Sequence, residues 1–168
     1  NIPFFNRTWE HFCSHSHTPS SLKEGYPAIV RNGNHIHFIH PIFATYTRLN
    51  PLWYKKLVCN AIQILMGAPF VTHDGPSTVI VTVNDQRAEQ RYVLHLLHYI
   101  AERRGKEFDT IEDVIPLYFL KVSLSLPQEI KRARLVPLGE ELILERKDNR
   151  CILEIPNING HTMIELIY

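Results

Sequence analysis

The chain has 168 residues, of which 45% are hydrophobic and 21% charged, and its 18 Lys and Arg against 17 Asp and Glu leave a net charge of +1. That length can bury a core and make one large domain or two small ones. A charge so near zero lays down no electrostatic footprint for nucleic acid, and no apolar run is long enough to span a bilayer, so neither partner is expected.

The densest chemical signal comes first. His11, Cys13, His15 and His17 stand within the run 9–19, next to Trp9 and Glu10. Imidazole and thiolate are common metal ligands, and the same groups also hold polar substrates by hydrogen bonds. As a metal site the run would use Cys13, His15 and His17. Alternation in an extended segment puts all three on one side with little room to converge, and no second Cys/His pair follows at zinc-finger spacing. No metal and no cofactor are therefore expected. Two readings stay open: a loop whose aromatics pack and whose histidines satisfy backbone groups, or a loop that lines a substrate cleft. In the second, Trp9 offers a stacking face and His11, His15 and His17 offer hydrogen bonds to hydroxyls, which makes these four the candidate substrate contacts.

Residues 28–31 and 35–40 flank Asn32-Gly33-Asn34, a strong short-range hairpin signal. After Pro41 the pattern turns helical. The clearest helix runs 51–66, with Asn50 expected as N-cap and Pro51 in the first turn. Tyr54, Leu57, Val58, Ala61, Ile62 and Leu65 recur at spacings of three and four and predict an apolar stripe that needs a sheet or a helix to lie on, with Gly67 as its stop. From Phe70 the period drops to two. Strands are expected around 79–83, 92–99, 117–126, 131–136, 142–146, 151–155 and 162–168, with Asp148-Asn149 as a tight turn and Pro127, Pro137 and Pro156 punctuating the rest. Short strands with turns between them predict a β-sandwich. The stretch 101–116 reads as a long irregular loop, of the kind that is more often functional or interface-forming than idle.

The three cysteines, Cys13, Cys59 and Cys151, are odd in number and scattered, which favours reduced thiols and so a cytoplasmic location; Cys59 and Cys151 are expected as small buried groups. The chain opens at Asn1 without an initiator methionine or a secretory-leader pattern and is expected to be a piece of something longer. His35 and His37 alternate with Ile36 and Phe38 and should share the less apolar face. His95 and His98 fall in an apolar strand and are expected as hydrogen-bonded core or interface imidazoles.

The strings Phe5-Asn6-Arg7-Thr8-Trp9-Glu10-His11-Phe12-Cys13-Ser14-His15, Asp74-Gly75-Pro76-Ser77-Thr78, Arg91-Tyr92-Val93-Leu94-His95-Leu96-Leu97-His98-Tyr99 and Ile111-Glu112-Asp113-Val114-Ile115-Pro116-Leu117-Tyr118 resemble the C-terminal end of a family of bacterial glycoside hydrolases. In that family a catalytic TIM barrel is followed by a β-galactosidase-type trimerisation domain with an amidotransferase-like α/β fold, and then by a small β-sandwich; fucosidase-like and galactosidase-like labels are both in use. The resemblance implies an α+β chain: residues 1–67 as the end of the α/β trimerisation-type domain, and residues 68–168 as an antiparallel β-sandwich. It also implies two partners, an upstream catalytic barrel of the same polypeptide and further copies in a homo-oligomer.

The residue chemistry is consistent with that placement. Glycosidic cleavage uses two carboxyl groups about 5 Å apart for retention or about 6.5–9.5 Å apart for inversion. Up to His73 the chain offers only Glu10 and Glu24; beyond lie Asp74 at a junction and the adjacent Glu112 and Asp113, which point apart in an extended loop and are expected as solvated charges or as partners of Arg103 or Arg104. Asp74 is expected to accept hydrogen bonds from the backbone just after it, as the first residue of a turn. No phosphate loop, nucleophile elbow or zinc-protease helix is present. The expectation is a non-catalytic accessory and assembly region of a glycoside hydrolase, with no catalytic residue of its own. A carbohydrate-binding module is the alternative, and a stand-alone metal-dependent hydrolase the more distant one.

Overall fold

The computed structural model describes residues 24–168. Trp9, His11, Cys13, His15 and His17 lie outside the described residues. The chain divides into two compact units, Asn1–Ala68 and Pro69–Tyr168.

In the first unit Ile29–Asn32 (β1) and His35–Phe38 (β2) pair antiparallel, with Asn32 opposite His35. Gly33 opens the two-residue connection at φ +56°, a conformation that costs glycine nothing because it has no Cβ to clash. His35 and His37 take the exposed face and Ile36 and Phe38 the half-buried one, as a period of two requires. Helices Ile42–Leu49 (α1) and Leu52–Met66 (α2) follow. Asn50, expected to cap the start of the second helix, instead closes the first: it sits at φ 48° and ψ 45° and its N–H donates to the Tyr46 carbonyl. Asparagine suits either end, because its short amide serves as an N-cap and also tolerates the left-handed conformation. Gly67 ends α2 as expected, at φ +78° with its N–H on the Gln63 carbonyl.

The second unit is a β-sandwich. Its strands are Val71–His73 (β3), Val79–Gln86 (β4), Arg91–His98 (β5), Glu102–Arg103 (β6), Asp109–Thr110 (β7), Leu117–Leu124 (β8), Arg132–Val136 (β9), Glu141–Leu142 (β10), Leu144–Lys147 (β11), Arg150–Ile158 (β12) and His161–Ile167 (β13). One sheet has the order β10-β9-β13-β5-β4 and the other β11-β12-β8-β3. Every pairing is antiparallel. Alternation decides what lies between the sheets: Tyr92, Leu94, Leu96 and His98 of β5 are buried while Arg91, Val93, His95 and Leu97 face outward. Leu94, Leu96, Ile164 and Leu166 from the first sheet meet Val122, Leu124, Leu153 and Ile155 from the second in one core. Each such side chain stabilises the fold by about 1.5–3 kcal/mol over leaving it in water.

Two details differ from the expected pattern. The irregular stretch 101–116 carries a small separate ladder, β6 on β7. Pro156 does not end a strand but sits inside β12, where its missing N–H is tolerated because the facing residue, Phe119 of β8, turns to φ 55° and drops out of the register. Asp148-Asn149 does make the expected tight turn: both residues have positive φ, at 50° and 61°, the mirror-image turn that matches strand twist between Lys147 and Arg150.

Candidate functional site

Among the described residues three carboxylates of the stretch 101–116 are held in ion pairs. Glu112 accepts from Arg104 at 2.8 Å, as does Glu102, and Asp109 from Arg103 at 2.8 Å. All of these groups are exposed, and such surface pairs contribute about 0–1 kcal/mol each. Asp74 does not bond the backbone just after it; its carboxylate accepts from the Lys121 N–H at 2.8 Å, while its own N–H donates to the Lys121 carbonyl. It thereby extends the β3–β8 edge by one side chain.

Glu165 is the one buried carboxylate among the described residues, with its side chain 5% exposed although it lies on the outer face of the first sheet. Two guanidiniums shield it. Arg134 Nε donates to one oxygen and Arg91 Nη1 to the other at 2.6 Å, and Arg91 is itself steered by Gln86, which accepts from its Nε at 2.6 Å. The hydrogen bond from Arg134, then that from Arg91, hold Glu165 below the usual carboxylate range against the opposing effect of burial. A general acid for sugar cleavage needs the reverse shift. The clamp therefore fastens β5, β13 and β9 together.

The same outer face carries a histidine pair. His95 Nδ1 and His161 Nε2 are 3.1 Å apart, and His95 Nε2 lies 3.3 Å from the Asn84 amide nitrogen. The ring planes differ by 10° with centroids 5.4 Å apart, the separation two coplanar imidazoles reach when their nitrogens meet end to end. This is a hydrogen bond and not a chelate, because the two ring nitrogens face each other and no common third point. Among the described residues no three His, Cys, Asp or Glu side chains converge as metal ligands. His98, by contrast, is 1% exposed in the core and bonds Thr78 Oγ1 through Nδ1 at 3.2 Å.

In the first unit Ile42, at 5% exposed, is the only buried side chain among the described residues. Of the expected α2 stripe, Tyr54, Leu57, Val58 and Ala61 are half-buried, while Ile62 and Leu65 are exposed together with Leu52, Trp53, Ile64 and Met66. Between α1 and α2 an apolar pocket of about 190 Å³ is lined by Ile42, Phe43, Tyr46, Tyr54, Val58 and Cys59. Cys59 is exposed and not buried as expected, because it lies to one side of the half-buried stripe, at the edge of this pocket. Cys151, expected to be buried, is half-buried, and desolvation pushes its thiol up against the opposing pull of Arg146.

The described residues thus define an antiparallel β-sandwich preceded by a hairpin and two helices with an open apolar face. No known protein family's sequence profile and no curated protein matches the chain. Among solved structures it is similar to alpha-L-fucosidase isoenzyme 2 from Paenibacillus thiaminolyticus, at 33% sequence identity and a TM-score of 0.86, over 99% of this chain and 26% of that one. The chain spans about a quarter of the fucosidase's length. Among the described residues no helix is long and apolar enough to cross a membrane.

Proposed function

We propose that this chain is a non-catalytic accessory region of a glycoside hydrolase acting on α-L-fucosides, and that it supports a catalytic barrel elsewhere in the same polypeptide. The observation that carries this reading is the similarity over almost the whole chain to a quarter of an alpha-L-fucosidase. The chemistry supports it: Glu102, Asp109 and Glu112 are exposed and ion-paired, Asp74 is bonded to the Lys121 N–H, and Glu165 is clamped between two arginines. A two-stranded hairpin and two helices with a single buried side chain among the described residues gain little burial to offset chain entropy. The open stripe of α2 is where the missing partner lies. In this reading the hairpin and α2 complete an amidotransferase-like α/β layer, and trimerisation through that layer gives a homo-oligomer. Trp9, His11, His15 and His17 contribute sugar contacts in the assembled enzyme. The free thiols of Cys59 and Cys151 favour a reducing, cytoplasmic setting.

The test is turnover of an aryl α-L-fucoside by this chain alone and by the longer polypeptide encoded with it. The longer protein should be active and the chain alone inert. Activity of the chain alone that is abolished by a Glu112→Gln or Asp74→Asn change would overturn the proposal.

A further inference from the structure

The outer face of the first sheet holds two imidazoles on one line. His95 Nδ1 and His161 Nε2 are 3.1 Å apart, the ring planes differ by 10° and the centroids are 5.4 Å apart. That centroid separation is the nitrogen separation plus one ring radius at each end, so both nitrogens lie on the line that joins the centroids. An imidazole lone pair points along the same line, and the two lone-pair axes therefore coincide.

The surroundings select what can sit on that axis. The β5–β13 register puts Met163 directly opposite His95, with His161 two residues before it, so a thioether stands on the same face as the two rings. From the other side Asn84 of β4 lies 3.3 Å from His95 Nε2, which fixes the ring with Nδ1 turned to His161. The one carboxylate that β4, β5 and β13 place on this face is Glu165, and two arginines hold it. Two imidazoles and a thioether are neutral and soft or borderline donors, and no free acid stands with them to offset a double charge; such a set favours a soft monovalent ion. Geometry makes the same choice. Among the described residues no three His, Cys, Asp or Glu side chains converge for a tetrahedral ion, whereas a closed-shell monovalent ion takes two nitrogens in a straight line.

We infer that His95 and His161 bind one soft monovalent metal ion, Cu(I) by chemical class, between Nδ1 and Nε2, with the Met163 sulfur as a third donor. Metal–imidazole bonds of about 2 Å each put the nitrogens about 4 Å apart, so the rings separate by about 1 Å along the axis they already share. His161 is exposed and opens β13, which gives it room for that shift. No proton is lost: the one shared between the rings moves through solvent to a ring nitrogen that faces away, and Asn84 presents its Oδ1 to the His95 Nε2–H. The inference does not depend on the accessory reading, because an ion on the outer face of the sandwich neither requires nor excludes a catalytic barrel.

The probe is Ag(I) alone, a redox-inert ion of the same preference, titrated into the full chain carrying Cys13→Ser and Cys59→Ser so that these thiols do not compete. Long-range ¹⁵N–¹H NMR should show His95 Nδ1 and His161 Nε2 shifting together and saturating at the same equivalent, while an equal concentration of Zn(II) leaves both in place. In calorimetry His161→Gln should lose one equivalent of Ag(I), and Met163→Leu should weaken the site several-fold. Asn84→Asp, whose carboxylate accepts from the His95 Nε2–H, should tighten it ~10-fold, the lower end of what such outer partners contribute. Melting temperatures check that each variant is folded. Zn(II) moving the two resonances as Ag(I) does would overturn the inference. So would a shift in one ring alone, an unchanged number of equivalents in His161→Gln, or Asn84→Asp and Met163→Leu both binding as the parent does.

Discussion

Phe119 stands opposite Pro156 at the one position where the β8–β12 register between Cys151 and Ile158 is interrupted. The proline has no N–H to give, and the phenylalanine, at φ 55° and 67% exposed, turns away from the ladder. A left-handed L-residue costs about 1–2 kcal/mol, against about 0.5–1 kcal/mol for the extra unfolded-state freedom of glycine. Phe119→Gly should therefore leave stability unchanged or raise it by up to about 1 kcal/mol, while Tyr118→Gly next to it, within the regular ladder, should lower it. Chemical denaturation of the two variants checks the contrast.

The clamp on Glu165 makes a pH prediction. Its folded pKa lies below the roughly 4.3 of an unfolded glutamate, so its contribution is fully present above that value and is lost as pH falls through the folded pKa. Glu165→Gln should cost about 2–4 kcal/mol at pH 7, because it leaves two guanidiniums sharing one neutral acceptor. It should also flatten the acid limb of the stability curve. Denaturation midpoints between pH 7 and pH 3 for both proteins read this directly, and parallel acid limbs would refute the clamp.

Much of this fold is legible locally, and the exceptions have physical reasons. Asn32-Gly33 and Asp148-Asn149 give turns because their backbone preferences act within a few residues, and the alternation of β5 announces its buried face. Asn50 misleads because the residue satisfies two opposite helix ends, and only the presence of α1 before it decides which. Pro156 misleads because its tolerance depends on Phe119, a distant residue in the chain that only the β8–β12 pairing brings opposite it. The Glu165 clamp escapes local reading altogether: its arginines lie 74 and 31 residues away, yet an acid inside Met163-Ile164-Glu165-Leu166-Ile167 is an available signal, since a charge in an apolar strand needs a partner. The aromatic and histidine cluster at residues 9–17 stands as a sequence expectation.

The histidine pair predicts a tautomer. If the Asn84 NH₂ donates to His95 Nε2, the His95 proton sits on Nδ1 and donates to His161 Nε2, which leaves His161 protonated on Nδ1 as well. Long-range ¹⁵N–¹H NMR at a pH where both rings are neutral should show two Nδ1–H imidazoles. Asn84→Asp, which can only accept, should move the His95 proton to Nε2 and reverse the direction of the pair.

The open face of α2 separates stability from assembly. Ile62 and Leu65 of the stripe are exposed, so replacing them with Ser and Gln should change the stability of the chain by less than about 0.5 kcal/mol each. If the stripe is the surface that partners cover, the double variant should lose self-association in light scattering. A double variant that unfolds the chain, or that associates as before, would show that the stripe is not the docking face.

Two glycines with positive φ separate backbone strain from close contact. Gly33, at φ +56°, has nothing within 4 Å of where a Cβ would stand, so Gly33→Ala should cost only the left-handed penalty of about 1–2 kcal/mol. Gly160, at φ +75°, would place a Cβ 2.6 Å from the Tyr99 hydroxyl oxygen and 2.9 Å from its ring carbon Cζ. The Gly160 carbonyl also accepts from the His98 N–H at 2.7 Å, so the corner cannot move away without loosening the end of β5. Gly160→Ala should therefore cost more than Gly33→Ala and displace the Tyr99 ring. Calorimetric melting of both variants, together with the Tyr99 ring resonances, tests this. Equal costs with an unmoved ring would mean that the corner is looser than its contacts imply.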